Sequence, residues 1–339
     1  MNGTMKKILA VALGSALTIG TIIVPPQTAK AADNKAVFTP IYLDGKNWQN
    51  SDDHWKSQAE FSLWYDASKD TATQLSTDYT ISFKFYFPVG LIKHMKNKDG
   101  NALLDIGSSV SMWNANGEGG DENYLGRLQS INDVCVYYDP DAKVPFLNEE
   151  SDTFKYSKLQ KDGDYYVLTV TDLPTQTKMY NEDTDSYDKD VDTSVAGYES
   201  LDIVLNSDNI KDSSFIALDD VTLKKNGAVD LSENFDGDSV RPLYLYCEAI
   251  GASGDRTLTP STLSTSILSV NKAQVSVKKG KKTTVKLTAP SVAKISYKTS
   301  NKKVATVTSK GVVKGVKKGK ATITVSAAGV SKKVKVTVK

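Results

Sequence analysis

Histidine and cysteine are almost absent from this chain of 339 residues, which contains two of each. Protein zinc sites are built mainly from these two residue types, so the composition disfavours a zinc centre. The sequence also lacks the G-x-S-x-G and H-E-x-x-H motifs of common hydrolases, and it has no Cys–His pair with a residue to orient it. The commonest sequence signatures of a hydrolytic site are therefore missing.

Long apolar runs are missing everywhere except at the N-terminus. Two lysines precede an apolar run over residues 8–24, a proline pair follows, and Ala29-Lys30-Ala31 supplies small residues at a cleavage position. These are the parts of a secretory signal peptide, predicted over residues 1–31. An uncleaved anchor is the alternative, because 17 apolar residues reach the lower limit of the ~17–25 that span a bilayer. We expect an exported protein, secreted or attached to the cell surface, with no membrane span after cleavage.

Acidic residues are missing from residues 261–339, which contain 19 lysines and no arginine. All 40 acids lie in residues 32–260, together with 20 basic residues. Residues 32–260 therefore have a net charge of −20, and residues 261–339 have a net charge of +19. The segment 251–266 at the change of sign is rich in Gly, Ser, Thr and Pro and is predicted to be a linker. Two domains are expected, over residues 32–250 and 267–339.

Helical periodicity is scarce beyond the signal peptide, and short alternating runs predict an all-β protein. In the last run Val334, Val336 and Val338 alternate with Lys and Thr, so one face is buried and the other is wet, as in a small β-sandwich. The run SNKKVATVTSKGVVKGVKKGKATIT (300–324) resembles the group 2 bacterial immunoglobulin-like domain. The resemblance implies a non-catalytic module of extracellular bacterial proteins.

The lysines of this C-terminal domain fall on wet strand faces and in turns. Outside a bacterium, a patch of this charge can bind anionic envelope polymers, such as wall teichoic acids, through many weak screened contacts. Nucleic acid is disfavoured, since base recognition depends on arginine and on aromatic stacking, and the domain has no arginine and one aromatic residue, Tyr297. In the alternative interpretation the lysines keep the domain soluble or contact the acidic domain.

The acidic domain contains all four tryptophans and 15 of the 16 tyrosines. Eight or more short runs, among them YTISFKFYFP (79–88), predict a jelly-roll β-sandwich. The motif ALDDVTL (217–223) resembles the closing strands of jelly-roll carbohydrate-binding modules, some of which bind β-mannan. The resemblance covers two patches of the domain and assigns no ligand residue.

Aromatic residues on strand faces opposite the apolar positions are candidates for a sugar-binding platform. A pyranose stacks its apolar face on an aromatic ring while polar side chains bond its hydroxyls. Strand alternation assigns the following residues to this platform: Trp64, Tyr86, Tyr137, Tyr244 and Tyr246. Loop alternatives are Trp48, Trp55 and Trp113. The competing interpretation makes these rings ordinary core residues, because aromatic side chains are often buried.

Two acidic loops, at 114–123 and 181–192, raise the question of a bound cation. The second loop places Asp183, Asp185, Asp188 and Asp190 at spacings that suit the oxygen ligands of calcium. It lacks the central glycine and the terminal glutamate of an EF-hand. The jelly-roll modules that the domain resembles often hold a structural calcium, and a solvated acidic loop is the alternative. No other cofactor is expected.

Cys135 and Cys247 lie in predicted strands of the acidic domain. In an exported protein such a pair suggests a disulfide, and two buried thiols are the alternative.

The favoured hypothesis is an exported, non-catalytic surface protein. Its acidic domain binds a neutral β-glycan, because a charge of −20 disfavours acidic glycans, and its basic domain retains it at the envelope. An extracellular glycoside hydrolase or lyase is one alternative: a hydrolase needs two carboxylates about 5–10 Å apart, which 40 acids supply without identifying. A protein-binding surface adhesin is another.

Overall fold

Strands make up nearly all of the regular structure. The computed structural model describes residues 35–42, 58–65, 78–92, 102, 104–114, 124–190, 196–206, 213–236, 243–247, 252–257, 261–291 and 293–339. The predicted signal peptide, Trp48, Trp55 and residues 115–123 lie outside these ranges. Two helical turns are described, Val89–Ile92 (α1) and the 3-10 turn Phe154–Tyr156. Within the described ranges, neither has the length or apolarity that a membrane-crossing helix requires.

The N-terminal domain consists of two antiparallel sheets. In spatial order, the first contains β17 (Ser261–Thr262), β1 (Lys35–Tyr42), β13 (Ser213–Lys225), β3 (Tyr79–Pro88), β9 (Tyr165–Pro174) and β8 (Ser157–Asp162), with β14 (Ala228–Glu233) also paired to β13. The second contains β16 (Ala252–Thr257), β15 (Leu243–Cys247), β2 (Gln58–Tyr65), β12 (Ala196–Asn206), β4 (Leu104–Asn114), β6 (Val134–Asp139) and β7 (Val144–Leu147), with β5 (Tyr124–Gln129) also paired to β4. A hairpin of β10 (Met179–Asn181) and β11 (Ser186–Lys189) stands apart.

One apolar core fills the space between the two sheets, because apolar residues alternate along the strands. In β3 the predicted inward residues Ile81, Phe83, Phe85 and Phe87 are all buried. Phe85 meets Phe61 of the opposite sheet edge to face, with ring centroids 6.1 Å apart. The all-β sandwich is therefore confirmed, and its jelly-roll topology remains a prediction.

The C-terminal domain is a smaller sandwich with its own core. One sheet contains β19 (Gln274–Val277), β26 (Val330–Val338), β25 (Gly319–Ala327) and β22 (Ile295–Thr299). A second contains β20 (Lys282–Thr284), β24 (Val312–Gly315) and β23 (Ala305–Val307), and β18 (Ser269–Val270) pairs with β21 (Leu287–Thr288). Val334, Val336 and Val338 are buried as predicted, and Lys333 and Lys335 are exposed.

Part of the predicted linker, 251–266, is built into the N-terminal sheets. Strand β16 pairs with β15, and β17 pairs with Lys35 and Ala36 of β1. Polar residues can form such edge strands because the pairing is made by backbone groups. The described residues 252–257 and 261–262 of the predicted linker are therefore strands of the sandwich.

The outer face of the first sheet packs against the C-terminal domain. Tyr86, Tyr165 and Phe215 belong to the same buried cluster as Ile267 and Leu268, and this cluster continues into the C-terminal core. Tyr86 is 8% exposed, with its ring edge-on to Tyr165 at 6.1 Å. Tyr86 was expected to be an exposed platform ring. Its side chain does lie on the outward face of the strand, as the alternation predicts, but the C-terminal domain covers that face.

Candidate site for a polysaccharide

A polar cavity of about 550 Å³ lies at the end of the second sheet where β4, β5 and β6 meet. Its volume is within the range of about 300–1,000 Å³ typical of small-molecule sites. Its walls come from these strands, from the segment after β7 and from β11. The lining residues with polar side chains include Asp105, Gln129, Asn132, Asp133, Tyr137, Glu150, Asp152 and Tyr187.

Tyr137 is the predicted platform residue that the structure places in this cavity. Val134 and Val136 of β6 are buried in the core, so the alternation predicted for this strand is confirmed. Tyr137 pairs with Phe146 of edge strand β7, and their rings stack at 5.7 Å and 29°. Phe146 is 44% exposed. The two rings form an accessible aromatic surface beside polar groups, which is the arrangement that a sugar ring requires.

Two carboxyl groups in the cavity lie side by side. Asp133 Oδ1 would lie 3.0 Å from a Cβ atom at Gly107, so this glycine leaves room for the carboxyl group. Burial, and then the charge and the hydrogen bond of Asp105, raise the pKa of Asp133 to about 6, against a smaller lowering by Arg127. The pair therefore holds one proton under mildly acidic conditions and presents both a donor and an acceptor.

Cys135 adjoins the same carboxylates as a free thiol. Its Sγ donates a weak hydrogen bond to Asp105 Oδ1 at 3.5 Å, and burial together with the Asp105 charge raises its pKa to about 12. Cys247 lies in β15, and three strands separate β15 from β6. At about 4.8 Å per strand, the two backbones are roughly 19 Å apart. This is far beyond the reach of a disulfide.

The β10–β11 hairpin carries aromatic residues to the same cavity. Tyr180 and Tyr187 are cross-strand partners, with centroids 5.5 Å apart and ring planes at 66°. Tyr187 lines the cavity, and its hydroxyl donates to Gln129 Oε1 at 2.7 Å. Met179 fixes the hairpin on β5, because a Cβ at Gly126 would lie 1.9 Å from Met179 Sδ.

The acids predicted to bind calcium lie on this hairpin and face different partners. Asp188 accepts hydrogen bonds from Asn181 and Thr184, each at 2.8 Å, and these bonds lower its pKa. Asp185 accepts from the Tyr180 hydroxyl, and Asp190 pairs with Lys178 at 3.2 Å.

Asp183 is the fourth of these acids, and it too is exposed. Among the described residues, which include all four, no three carboxylates converge as a metal site would require. Asp185 and Asp188 instead stabilise the turn, and calcium at this loop remains a prediction.

The remaining platform candidates lie elsewhere on the second sheet or outside the described residues. Trp64 pairs with Ser200, Trp113 with Tyr124, and Tyr244 with Ser62 through their backbones. Tyr246 pairs with Glu60 in the same way. The side chains of these four candidates lie outside the described residues. Of the two candidates whose side chains the structure describes, Tyr86 and Tyr137, Tyr137 lines the cavity.

Sequence reasoning missed three aromatic residues of the site, Phe146, Tyr180 and Tyr187. Phe146 lies in a four-residue edge strand with a proline, which is too short to show alternation. Tyr180 and Tyr187 lie inside an acidic run that was interpreted as a cation loop. The sequence YNEDTDSY could have indicated them, because two tyrosines flank a turn symmetrically and would face each other across a hairpin.

The second feature with functional character is the basic face of the C-terminal domain. Lys298, Thr324 and Lys333 form one cross-strand row, and Lys335 and Lys320 extend the same sheet. On the other sheet Lys282 is directly opposite Lys314. Like charges in directly opposite positions destabilise a sheet. All six lysines are exposed, and the domain contains no acid to neutralise them.

Comparison with known proteins identifies the C-terminal domain. Residues 265–338 match the bacterial Ig-like domain (group 2). This match confirms the resemblance predicted for residues 267–339 and supports an extracellular or cell-surface location. The N-terminal likeness to carbohydrate-binding modules remains a prediction. No curated protein matches the chain.

Similar solved structures come from an S-layer protein. Domains 4 and 5 of the S-layer protein SbsC share 23% identity, with 30% of this chain and 69% of that chain covered and a TM-score of 0.21. A longer form, rSbsC(31-844), shares 14% identity over 72% of this chain and 37% of that chain, also with a TM-score of 0.21. Scores this low carry no argument about fold or activity.

Proposed function

We propose that this is a cell-surface polysaccharide-binding protein whose N-terminal sandwich binds a neutral β-glycan at the cavity beside Tyr137. The observation that carries the proposal is the stack of half-buried Tyr137 on exposed Phe146 at the edge of a polar cavity of about 550 Å³. The stack supplies an apolar surface for a sugar ring. Carboxyl and amide groups in the wall supply acceptors and donors for its hydroxyls.

The charge of the cavity favours a neutral ligand. Asp105, Asp133, Glu150 and Asp152 line it, and no lysine or arginine does among the residues that the structure describes. An acidic glycan would meet these carboxylates at short range, where like charges repel most strongly. A neutral β-glycan such as β-mannan avoids this repulsion and gains hydrogen bonds to charged groups, which are stronger than neutral ones.

Binding without catalysis fits the carboxyl pair better than hydrolysis does. A retaining glycosidase holds its two carboxyl groups about 5–5.5 Å apart, and an inverting enzyme holds them further apart. Asp105 and Asp133 are hydrogen-bonded to each other, which is closer than either mechanism requires. Their geometry suits recognition of a hydroxyl group.

The basic face is proposed to retain the protein on anionic envelope polymers. Nineteen lysines without a neighbouring acid in the domain give a charge that a polyanion can neutralise through many contacts at once. The opposed pair Lys282–Lys314 would gain most, because a bound anion removes its repulsion.

The glycan proposal is tested with the whole secreted chain, residues 32–339, because the C-terminal domain covers Tyr86, Tyr165 and Phe215. Calorimetric titrations use soluble β-mannan, xylan, mixed-linkage β-glucan and starch, and the products are then analysed for new reducing ends. Binding of at least one β-glycan without products supports the proposal. New reducing ends would identify a hydrolase, and no binding to any glycan would favour a protein-directed adhesin.

Retention is tested separately with purified cell walls and a salt gradient. The proposal predicts that the chain binds at low salt and elutes as the ionic strength rises, because screening weakens contacts between exposed charges. Walls stripped of phosphate polymers should lose this binding. Binding that is independent of salt would contradict electrostatic retention and leave the glycan proposal unaffected.

A further inference from the structure

The cavity has a second aromatic pair at a distance from the Tyr137–Phe146 stack. The ring of Tyr187 is held at the wall by its hydroxyl, which donates to Gln129, and the Tyr180 ring packs edge-on against it. Tyr180 is 43% exposed and Tyr187 is 39% exposed, so both rings keep surface that a ligand can reach. The cavity therefore has aromatic surface on two of its wall elements, β6–β7 and the β10–β11 hairpin.

The two pairs lie at different levels along β4. Cys135 is opposite Asp105, and Gln129 is opposite Ser109. Tyr137 lies two residues beyond Cys135 in the direction away from Ser109, so its backbone is roughly 20 Å from that of Gln129 at about 3.3 Å per strand residue. A hydrogen bond joins the Tyr137 and Cys135 side chains, and Tyr187 lies near Asp133, so the two rings are closer to each other than these backbones are.

Polar side chains occupy the wall between the two pairs. Asp105 and Asp133 share a hydrogen bond, and Asn132 donates to Asp152 Oδ2 at 3.4 Å. Asp133 also raises the pKa of Tyr187 through its charge, secondary to burial, so the carboxyl pair lies near the second aromatic pair. Hydroxyl groups along a sugar chain would find acceptors over the whole length of the cavity.

We propose that the site binds an internal segment of a neutral β-glycan chain, with one sugar on the Tyr137–Phe146 stack and another on Tyr187 and Tyr180. This inference rests on the proposed function. Two separate aromatic contacts favour a chain that is long enough to reach both. The site therefore selects polymers over the short products of their breakdown.

The test is a length series on residues 32–339, with β-1,4-linked oligosaccharides of mannose, glucose and xylose from two to six units. In the series that binds, affinity should rise at least about tenfold from the dimer to the longest chain, because a second stacked ring is added. Tyr187→Ala should remove this gain, so that affinity for the variant no longer rises with chain length. Tyr187→Phe, which keeps the ring and loses the hydrogen bond to Gln129, should retain most of it.

The results of this length series distinguish failure of the two-contact site from failure of the proposed function. An affinity that levels off at the dimer, or a Tyr187→Ala variant that weakens all lengths equally, overturns the two-contact site and leaves the proposed function intact. Absence of binding to any oligosaccharide or parent polysaccharide overturns both. If Tyr187→Ala unfolds, Tyr180→Ala replaces it, since that ring is more exposed and lies on the same hairpin.

Discussion

The carboxylate of Asp164 accepts a hydrogen bond from the backbone N–H of Ile267 at 3.0 Å. The Ser266 hydroxyl donates to the same oxygen at 3.3 Å, and the Asp164 N–H donates to the Thr265 carbonyl at 2.8 Å. Asp164 lies in the turn between β8 and β9, and Ile267 begins the C-terminal domain. These bonds, together with the buried cluster beside them, attach the basic domain to the N-terminal domain.

Replacing Asp164 with alanine should separate the unfolding of the two domains. Hydrogen bonds to charged groups contribute about 1.5–3 kcal/mol, and the Ile267 N–H would lose its partner. We expect a lower free energy of unfolding by about that amount and a broader or split transition in urea. The matched control is Asp162→Ala, which removes an exposed carboxylate from the same hairpin. Equal transitions for both variants would show that the contact does not couple the domains.

Gly163 should not tolerate a side chain. Its φ of +57° is in the left-handed region, and a Cβ would lie 1.9 Å from the Thr265 carbonyl oxygen. Gly280 has a φ of +77° with nothing within 4 Å of its Cβ position, so Gly280→Ala measures the backbone strain alone, about 1–2 kcal/mol. Gly163→Ala should cost clearly more in thermal unfolding. Equal losses would mean that the domains can separate at this contact without cost.

Asp133 should make stability depend on pH in a defined direction. Its pKa rises from 3.8 to about 6 on folding, so the folded state binds the proton more tightly than the unfolded state does. The stability it contributes is complete below pH 3.8 and is lost as the pH rises through about 6. Burial likewise raises the pKa of Asp219, to about 7, so the test is the difference between wild type and Asp133→Asn. That difference should change between about pH 4 and pH 6, and a constant difference would contradict the carboxyl pair.

The two cysteines should remain free thiols. The separation of β6 and β15 prevents a bridge, so denatured protein should take up two equivalents of iodoacetamide without a reductant. In the folded protein Cys135 should react slowly at pH 8, because its pKa of about 12 keeps the thiolate scarce. An unreduced protein that takes up no label after denaturation would show a disulfide.

Much of the fold follows from alternation along single strands. The inward residues of β3, β6 and β26 were predicted correctly, because burial on one face requires apolar residues at every second position. The same rule gives the outward parity of Tyr86 and Tyr137. It gives no information on what covers the outward face, which depends on contacts between domains. Tyr86 is buried for that reason, whereas Tyr137 lies beside an open cavity.

The site depends on how strands pair and on short strands whose sequences show little alternation of apolar and polar residues. Phe146 joins Tyr137 because β7 pairs with β6, and Tyr187 reaches the cavity because Met179 anchors its hairpin on Gly126. Both relationships are long-range. The acidic run is unusual in sequence, but its carboxylate Asp188 stabilises the turn, and its Tyr187 lines the cavity.

The most direct measurement is a calorimetric titration of soluble β-mannan, xylan and mixed-linkage β-glucan into wild type, Tyr137→Ala and Phe154→Leu. Phe154 is 38% exposed and does not line the cavity, so its variant controls for loss of a surface ring. Wild type and Phe154→Leu should bind the same β-glycan with equal affinity. Tyr137→Ala should lose about 1–3 kcal/mol of binding free energy, by analogy with a stacked base. Unchanged affinity in Tyr137→Ala, with its fold intact, would contradict the proposed site.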